Sequence, residues 1–444
     1  MKEVRLAYGR EGLVARVPDD AVVVTATELA RLGDEAGAVL EALERPVVGP
    51  PLGELMAMAA RKAARNGRSG PSVAVVFPDL TRPMPNRTVL PPLLGELDRL
   101  GAGPDKVKLL CATGTHRLGT DDEMVELLGP EIVGRYKVHQ HRADAPGDGD
   151  GDGGGDDHVE VGRVDGTPIR IDRHYVEADV RILTGFVEPH FFAGFSGGPK
   201  GACPGLAGLE TILEAHSPRR ISDPRATWLV TEGNPVHDFV RAAVGLAPPT
   251  LSVDVAINSR RQLTGVFVGP LPDGHRAACR FVEATSVQSV GARFDVVLST
   301  NGGYPLDRNL YQAVKGMAAA ERVVRAGGTI VMAAACVDGT PDGSSFARLL
   351  AEASGPGGLD GLDDVERPSE TDRWQAQVLG RVLRHGEVWF HTDGLTDEAV
   401  AAAFLRPVRD VTDAVAEALD GSGSGRRTRL GVLPYGPLTV ASAT

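Results

Sequence analysis

One glycine-rich segment carries two kinds of reactive side chain within a short distance. His190 stands ten residues before Lys200, and the residues just before that lysine read SGGP. Small residues let backbone N–H groups approach an anion closely, so this loop favours a binding role over a simple turn. It is neither a Walker A motif nor a Rossmann fingerprint, because the spacings GxxxxGK[ST] and GxGxxG are absent.

A third histidine follows the same segment. His216 comes after LAGLETILEAH, whose apolar residues recur at helical spacing. This pattern predicts that His216 lies near the end of a helix that folds back over the loop. From the residues alone, His190 and His216 are both metal ligands, or one is a ligand and the other a base.

Two further polar loops each follow an apolar run. PDLTRPMPN holds Asp79, Thr81 and Arg82, and an arginine there could fork onto a carboxylate or phosphate, or simply sit on a capped turn. ATGTHR places His116 at a strand end, where it could act as a base. It could also belong to the cap of a helix starting near Thr120, since TDDE resembles a capping box.

The last polar segment lies in the second half of the chain. YPLDRNLYQAVKGM contains Tyr311, Gln312 and Lys315, and the last two stand three residues apart. On a helix they share one face, which favours a joint binding role. The alternative is the start of an amphipathic helix with a solvated lysine.

Repeated strand, polar loop and helix patterns must position these residues. SVAVVFPD, VKLLCATGTH and ADVRILTGFVEPH are apolar runs that end in polar loops, which is typical of buried parallel strands. We therefore predict an α/β protein of two α/β domains with mostly parallel sheets and an active-site cleft between them. The domains are placed at residues 1–287, carrying the cofactor and the catalytic histidines, and 288–444, closing over the substrate.

Other segments are predicted from local pattern. The chain opens with a hairpin, continues as a helical stretch to about Leu43, and forms another hairpin over Ser252–Pro270. The Asp/Gly-rich residues 143–158 could suggest a calcium-binding repeat. They fit a solvated surface loop better, since the pattern occurs once and lacks an apolar packing position.

Composition excludes several classes of protein. The 444 residues carry a net charge of -12, which disfavours nucleic acid and anionic membrane as partners. No apolar run reaches membrane-spanning length and the first residues lack a secretory pattern, so we predict a cytoplasmic protein. The 4 cysteines form no CxxC pair, which argues for reduced thiols and against a structural zinc or iron–sulfur site.

Taken in order, these segments resemble one known family. The matching pieces are PDLTRP, ATGTHR, PHFFAGFSGGPKGACPG, His216 after the next helix, YQAVKG, and DRWQAQ at Asp372–Gln377. Together they are similar to the lactate racemase family, whose members use a nickel-pincer nucleotide, and the match runs from about Leu6 to Tyr435. Six pieces in order make a specific signal where any single one is weak.

The resemblance implies a role for each matching residue. Lys200 matches the lysine that is covalently linked to the nickel-pincer nucleotide, a modified pyridinium mononucleotide, and His216 matches the histidine ligand of nickel. His116 and His190 match the two acid–base residues that serve the two enantiomers, and this replaces the metal role for His190. One takes the hydroxyl proton of a small 2-hydroxy acid while hydride passes to the cofactor. Hydride and proton then return on the opposite face.

The resemblance also implies the binding residues. Arg82 and Lys315 would hold the substrate carboxylate, with Gln312 as a neutral partner and Tyr311 and Trp374 lining the pocket. Further contacts to the cofactor are expected from Asp79, Thr81, Arg82, Ser196, Gly197 and Gly198. Cofactor-biosynthesis proteins would be partners for maturation. Family members act on lactate, malate, aromatic hydroxy acids and sugar acids or sugars, so the substrate is expected to be lactate-like without being fixed.

Two alternatives remain at this point. A non-catalytic cofactor-binding protein could use the same fold, although a store needs no pair of bases. A metal-dependent hydrolase or lyase could use His190 and His216 around zinc, but no carboxylate-rich ligand set accompanies them.

Overall fold

A computed structural model describes residues 1–144, 157–340, 345–354, 358–362, 364–421 and 428–443. Most of the described chain is organised around two six-stranded sheets. The strands are β1 (Lys2–Leu6), β2 (Leu13–Val17), β3 (Val22–Val23), β4 (Val73–Pro78), β5 (Val107–Ala112), β6 (Lys137–Gln140), β7 (His158–Val164), β8 (Thr167–Asp172), β9 (Val180–Phe186), β10 (Pro189–His190), β11 (Gly194–Phe195), β12 (Leu251–Ile257), β13 (Leu263–Gly269), β14 (Val287–Gly291), β15 (Phe294–Thr300), β16 (Val324–Ala333), β17 (Glu387–His391), β18 (Arg406–Pro407), β19 (Leu430–Leu433) and β20 (Val440–Ala443).

Helices cover the faces of both sheets. They are α1 (Glu35–Glu44), α2 (Leu52–Arg65), α3 (Asn86–Arg99), α4 (Asp121–Leu128), α5 (Pro130–Arg135), α6 (Arg173–Val176), α7 (Leu209–Ala215), α8 (Pro218–Ser222), α9 (Pro235–Leu246), α10 (Asp273–Ser286), α11 (Leu310–Glu321), α12 (Ser345–Ala353), α13 (Arg373–His385), α14 (Asp397–Ala402) and α15 (Val411–Gly421). Short 3-10 turns occur at Gly198–Gly201, Leu359–Leu362 and Gly436–Leu438.

The first sheet has the strand order β13-β12-β9-β4-β5-β6. All neighbours are parallel except β12 and β13, which form the hairpin expected over Ser252–Pro270. β4, β5 and β9 are almost continuously apolar because both of their faces are buried under helices.

The second sheet has the order β18-β17-β16-β15-β19-β3, and all of its pairs are parallel. The predicted α/β class with mostly parallel sheets is confirmed. Two sheets of this kind leave the carboxyl ends of their strands free to hold a ligand.

The N-terminal residues belong with the second sheet. The predicted division at residues 1–287 and 288–444 does not include this pairing, because it places these residues in the first domain. β3 pairs with β19, and the hairpin β1–β2 packs its apolar face against the core under β15 and β16. The pairing is non-local, so no local pattern at the N-terminus could indicate it. A boundary near residue 287 stays a prediction.

Other local expectations have mixed outcomes. Thr120 caps α4 with Glu123 in a capping box, as the TDDE pattern indicates. The helical stretch expected before Leu43 is wrong in its first part, because the chain forms the short strand β3 and is then irregular until α1 begins at Glu35. Most of the Asp/Gly-rich segment, residues 145–156, lies outside the described residues. Among the described helices, none is long and apolar enough to cross a membrane.

Candidate active site

Loops after β4, β5 and β9 meet α11 and α13 of the second sheet around one cavity of about 130 Å³. Parallel strands bring their carboxyl ends to one edge, which explains why distant sequence segments converge here. The predicted site residues that line the cavity are Asp79, Arg82, His116, His190, Ser196, Gly197, Lys200, His216, Tyr311, Gln312, Lys315 and Trp374.

Two predicted cofactor contacts lie behind the lining. Thr81 donates its hydroxyl to Asp79 Oδ1 at 2.7 Å. Gly198 donates its backbone N–H to Asp254 Oδ1 at 2.8 Å. Thr81 thus supports the lining residue Asp79, whereas Gly198 is held by a residue outside the cavity, and the contact of either with a cofactor stays a prediction.

His116 is held by a buried carboxylate. Its Nδ1 lies 2.7 Å from Asp79 Oδ2, and Asp79 is 7% exposed. Burial alone raises the pKa of Asp79, but the charge and hydrogen bond of His116, with the charge of Arg82, hold that pKa below its usual value. An ionised Asp79 accepts the Nδ1 proton, so a neutral His116 keeps the lone pair on Nε2. This tautomer suits a general base.

His190 is arranged in the opposite sense. Its Nδ1 accepts the backbone N–H of Ala193 at 3.2 Å and that of Phe192 at 3.5 Å, so a neutral ring carries its proton on Nε2. Burial, with the nearby positive charges of Lys200 and Lys315, lowers the pKa of His190 well below its usual range. The ring is therefore neutral and presents a donor.

His216 is fixed at the C-terminal end of α7, as its helical pattern predicted. Its Nδ1 lies 2.9 Å from the carbonyl oxygen of Ile212 and must donate to it. Burial, with the charge of Lys200, lowers the pKa of His216 to about 3. A neutral imidazole whose other nitrogen is held by a carbonyl is the usual state of a metal-ligating histidine.

Lys200 is a half-buried lysine on the 3-10 turn of the glycine-rich loop, and it lines the cavity. Burial and the charge of Arg82 lower the pKa of Lys200 to about 7. Its Nζ lies 5.5 Å from the ring centroid of Phe192. About half of such a lysine is uncharged at pH 7, and the uncharged amine is nucleophilic.

Three polar groups in the cavity lack a hydrogen-bond partner among the described residues. They are Arg82 Nη1, Gln312 Oε1 and Lys315 Nζ, and each atom is buried. Burial, with the charge of Arg82, lowers the pKa of Lys315 to about 7. Buried polar atoms are rarely left without partners, so these three indicate that an anionic, hydrogen-bonding ligand belongs between them.

Aromatic side chains of the second sheet's helices complete the wall. Trp374 Nε1 donates to the hydroxyl of Tyr311 at 2.7 Å. The ring of Trp374 also packs on His216, with 4.7 Å between centroids. The lining residues predicted from two separate segments are thus joined to each other and to the predicted metal ligand.

Comparisons with known proteins identify the family of this chain. The Lactate racemase N-terminal domain family matches residues 8–228, and the Lactate racemase C-terminal domain family matches residues 289–440. A lactate racemase of Thermoanaerobacterium thermosaccharolyticum is 33% identical over 449 aligned residues, covering 98% of each chain. The chain belongs to the lactate racemase family. It is therefore an enzyme of the isomerase class.

Other members and solved structures support the assignment to the lactate racemase family. A lactate racemase of Lactiplantibacillus plantarum is 32% identical over 98% of this chain and 99% of its own. The lactate racemase apoprotein structure from T. thermosaccharolyticum superposes with a TM-score of 0.85 at 30% identity, over 99% of this chain and 100% of that one. A Thermotoga maritima protein of 18% identity, with a TM-score of 0.63 over 88% of this chain and 98% of its own, shares the fold.

Within this lactate racemase fold, the zinc alternative lacks a ligand set. Among the described residues, no group of three or more His, Cys, Asp and Glu side chains is arranged to hold a metal ion. The described histidines His190 and His216 stand without the carboxylate partners that a hydrolytic zinc site uses.

Sequence reasoning missed three buried residues around the site: Glu188, Asp254 and His275. Burial raises the pKa of Glu188, although the charges of Lys315, Arg82 and Lys200 act against that rise. An acidic residue within an apolar strand, as in SVDVAIN around Asp254, is the signal that could have drawn attention to the second of them.

Proposed function

We propose that this protein inverts the C2 centre of lactate or a similarly small 2-hydroxy acid, using a nickel-pincer nucleotide attached to Lys200. The observation that carries the proposal is the cluster of partnerless buried polar atoms, Arg82 Nη1, Lys315 Nζ and Gln312 Oε1, beside His116 and the neutral His190. A store for a cofactor has no use for a preformed carboxylate site of this kind.

The substrate carboxylate would lie between Arg82 and Lys315. Two cations hold an α-carboxylate strongly in a buried site, where charge-assisted hydrogen bonds are shielded from water. Gln312, one helical turn before Lys315 on α11, would accept a hydrogen bond from the substrate hydroxyl through Oε1 or donate one to the carboxylate from Nε2. The rest of the molecule stays free to turn about this anchor, as inversion requires.

The histidines have complementary roles in this proposal. His116, with its Nε2 lone pair directed by Asp79, takes the hydroxyl proton from one enantiomer. His190 presents Nε2–H and donates a hydrogen bond to the oxygen that becomes the carbonyl of the 2-oxo acid. As hydride returns to the opposite face of C2, the protonated His116 would give that proton back to the same oxygen, so no proton is gained or lost over the cycle, while His190 keeps its Nε2–H as a hydrogen-bond donor.

The residues on the page fit the proposed cofactor. His216 is neutral, with Nδ1 held by Ile212, so Nε2 is available to nickel. Lys200 is nucleophilic near neutral pH, as attachment through its amine requires. When bound, the nickel-pincer nucleotide would supply the group that accepts hydride from C2 and returns it. The small residues Gly197, Gly201 and Gly205 leave room beside the lysine.

A direct experiment measures attachment and turnover in one preparation. The chain is produced together with cofactor-biosynthesis proteins. The mass of the peptide containing Lys200 is then measured by mass spectrometry, and nickel is quantified per chain. Conversion of L-lactate to D-lactate and back is followed by chiral chromatography. We expect a mass addition on Lys200, about one nickel per chain, and inversion in both directions.

A matched pair of lysine variants sharpens the result. Lys200→Ala should lose the adduct, the nickel and the inversion, whereas Lys62→Ala, an exposed lysine on α2, should retain all three. A loaded chain that inverts none of a panel of 2-hydroxy acids would favour the store. Turnover in Lys200→Ala would overturn the proposal.

A further inference from the structure

Two buried side chains outside the cavity form hydrogen bonds with the backbone of the loop that carries Lys200. Asp254, on β12, accepts the backbone N–H of Gly198 at 2.8 Å. His275, on α10, lies with Nε2 2.8 Å from the carbonyl oxygen of Ser196. We propose that Asp254 and His275 are positioning residues that fix the Ser196–Gly198 turn and thereby hold Lys200 at one place in the pocket.

Asp254 is built into the sheet for this contact. It is fully buried, and its second oxygen accepts the hydroxyl of Ser252 at 2.6 Å. Burying a carboxylate in an apolar strand is costly unless it is hydrogen-bonded. Its hydrogen-bond partners here are the hydroxyl of a strand neighbour and the N–H of the Lys200 loop, so the loop is one of the groups that stabilise it.

His275 supports the opposite end of the same turn. It is 3% exposed and donates Nε2–H to Ser196, because a backbone carbonyl can only accept. Ser196 is itself tied to the end of β9, since its hydroxyl donates to the carbonyl of Phe186 at 2.8 Å. The turn therefore has attachments to β9, β12 and α10.

The two glycines of the turn allow Asp254 and His275 to approach its backbone closely. Gly197 and Gly198 have φ of +76° and +50°, in the left-handed region that glycine adopts without strain. A Cβ on Gly197 would lie 2.8 Å from Asp254 Oδ1, and one on Gly198 would collide with the ring of His275. Glycine is thus required at both positions by the backbone conformation and by the close approach of Asp254 and His275.

Lys200 follows directly from the clamped turn. Its backbone N–H donates to the carbonyl of Gly197 at 3.1 Å, and its own carbonyl accepts the N–H of Gly205 at 3.1 Å. The position of the amine in the pocket is therefore determined by the turn, whose position depends on Asp254 and His275. The consequence for cofactor attachment rests on the proposed function, whereas the consequence for the lysine itself does not.

The test compares variants of Asp254 in the full chain without cofactor. Lys200 is acetylated with acetic anhydride over a range of pH, and labelling is measured by peptide mass. In the natural protein the midpoint should lie near the lowered pKa of Lys200, about 7. Asp254→Ala should raise the midpoint by one unit or more, toward the ordinary lysine value of about 10.4, because a released turn lets the amine reach water.

Conservative and control variants separate positioning from stability. Asp254→Asn retains an acceptor for Gly198 and should restore the natural midpoint. Asp295→Ala removes another buried aspartate, on β15 of the other sheet, and should leave the midpoint unchanged even if the melting temperature falls. His275 contacts the other end of the turn, so His275→Ala should raise the midpoint as Asp254→Ala does. His275→Gln keeps a donor for the carbonyl of Ser196 and should restore the natural midpoint.

Failure of the positioning role and failure of the proposed function give different results. If Asp254→Ala and His275→Ala label Lys200 with the natural midpoint, the positioning role is wrong. In cells that load the cofactor, both variants should also carry a smaller fraction of adduct than Asp295→Ala. A natural protein that never acquires an adduct would overturn the proposed function and leave the labelling result standing.

Discussion

At the scale of single residues, His116 and His190 differ in where their protons lie. Asp79 directs the proton of His116 to Nδ1, while the N–H of Ala193 directs that of His190 to Nε2. One ring is prepared to accept and the other to donate. The sequence could mark both residues as acid–base candidates, but tautomers depend on contacts made only in the folded chain.

Asp79→Asn tests the directing role of that carboxylate. The amide can turn its NH2 toward His116, which favours the tautomer with the proton on Nε2 and removes the base. General acid–base catalysis contributes roughly 100- to 10,000-fold, so we expect kcat/KM to fall by about that factor in both directions, because each direction passes through the same steps in reverse order. Steady-state rates for each enantiomer check this.

Nickel content and the Lys200 adduct of Asp79→Asn should fall much less than kcat/KM, since Asp79 contacts neither Lys200 nor His216 in the hydrogen bonds described. An unchanged kcat/KM in both directions would show that His116 needs no directed tautomer.

Lys315 predicts a pH dependence of anion binding. Its pKa is lowered to about 7 by burial and Arg82, and a bound carboxylate favours the charged form. The proton is present below that pKa and lost above it, so the affinity of the cofactor-free chain for oxamate should weaken as pH rises through about 7. Calorimetric titration at several pH values measures it.

Lys315→Met should bind oxamate more weakly at pH 6, by roughly 1.5–3 kcal/mol, the usual contribution of a hydrogen bond to a charged group. Its pH dependence should be shallower than that of the natural protein, with Lys62→Met as the unaffected control. Binding by Lys315→Met that keeps the natural pH dependence would assign the effect to another group.

At the scale of elements, the strand-end loops were the predictable part of the site. VAVVFP, VKLLCA and VRILTGF are short apolar runs, and the polar loops that follow them can be identified locally. The spacing of Gln312 and Lys315 likewise predicted their common helix. Asp254, His275 and the pairing of β3 with β19 depend on which elements become neighbours, and no local period encodes that.

The helix α11 provides an element-scale prediction through Gly316, next to Lys315. A Cβ there would collide with the carbonyl oxygen of Thr300 at the end of β15. Gly316→Ala should push α11 outward, displace Lys315 and Gln312, and reduce the free energy of unfolding by roughly 1–3 kcal/mol. Denaturant unfolding and kcat/KM together measure these effects.

Gly95→Ala is the matched control for that substitution. Gly95 lies inside α3, where an added Cβ meets nothing within 4 Å. It should stabilise the protein by about 0.4–1 kcal/mol through the unfolded chain and leave activity unchanged. Full activity in Gly316→Ala would mean that the register of α11 does not set the anion site.

At the scale of the whole molecule, the site is shared between the two sheets and their helices. His116, His190, Lys200 and His216 come from the first, whereas α11 and α13 come from the second. Gln377 of α13 also donates to Ser222 Oγ at 2.7 Å. Neither half alone can hold both cofactor and substrate in the proposed way, so contacts between the halves bear on function.

Glu123, on α4, is one such contact. Its carboxylate accepts hydrogen bonds from Nη2 and Nη1 of Arg117 at 2.7 and 2.8 Å. It also accepts one from Nη2 of Arg308, in the other half, at 3.4 Å. Hydrogen bonds from Arg117, with further ones from Thr120 and Arg308, lower the pKa of Glu123 to about 2. A lowered carboxyl pKa contributes stability that is present above the unfolded value and disappears as pH falls through the folded value.

Glu123→Gln should therefore reduce the free energy of unfolding at pH 7 by about 1 kcal/mol, a value limited by partial exposure of the pair. The difference from the natural protein should shrink between about pH 4.5 and about pH 2, because Glu123 loses its charge there. Glu126→Gln is the matched control on the same helix, since its partner Arg10 is exposed and 3.4 Å away, and it should change little. Denaturant unfolding at several pH values measures both variants, and equal destabilisation by the two would mean that the bridge to Arg308 adds nothing to the joining of the halves.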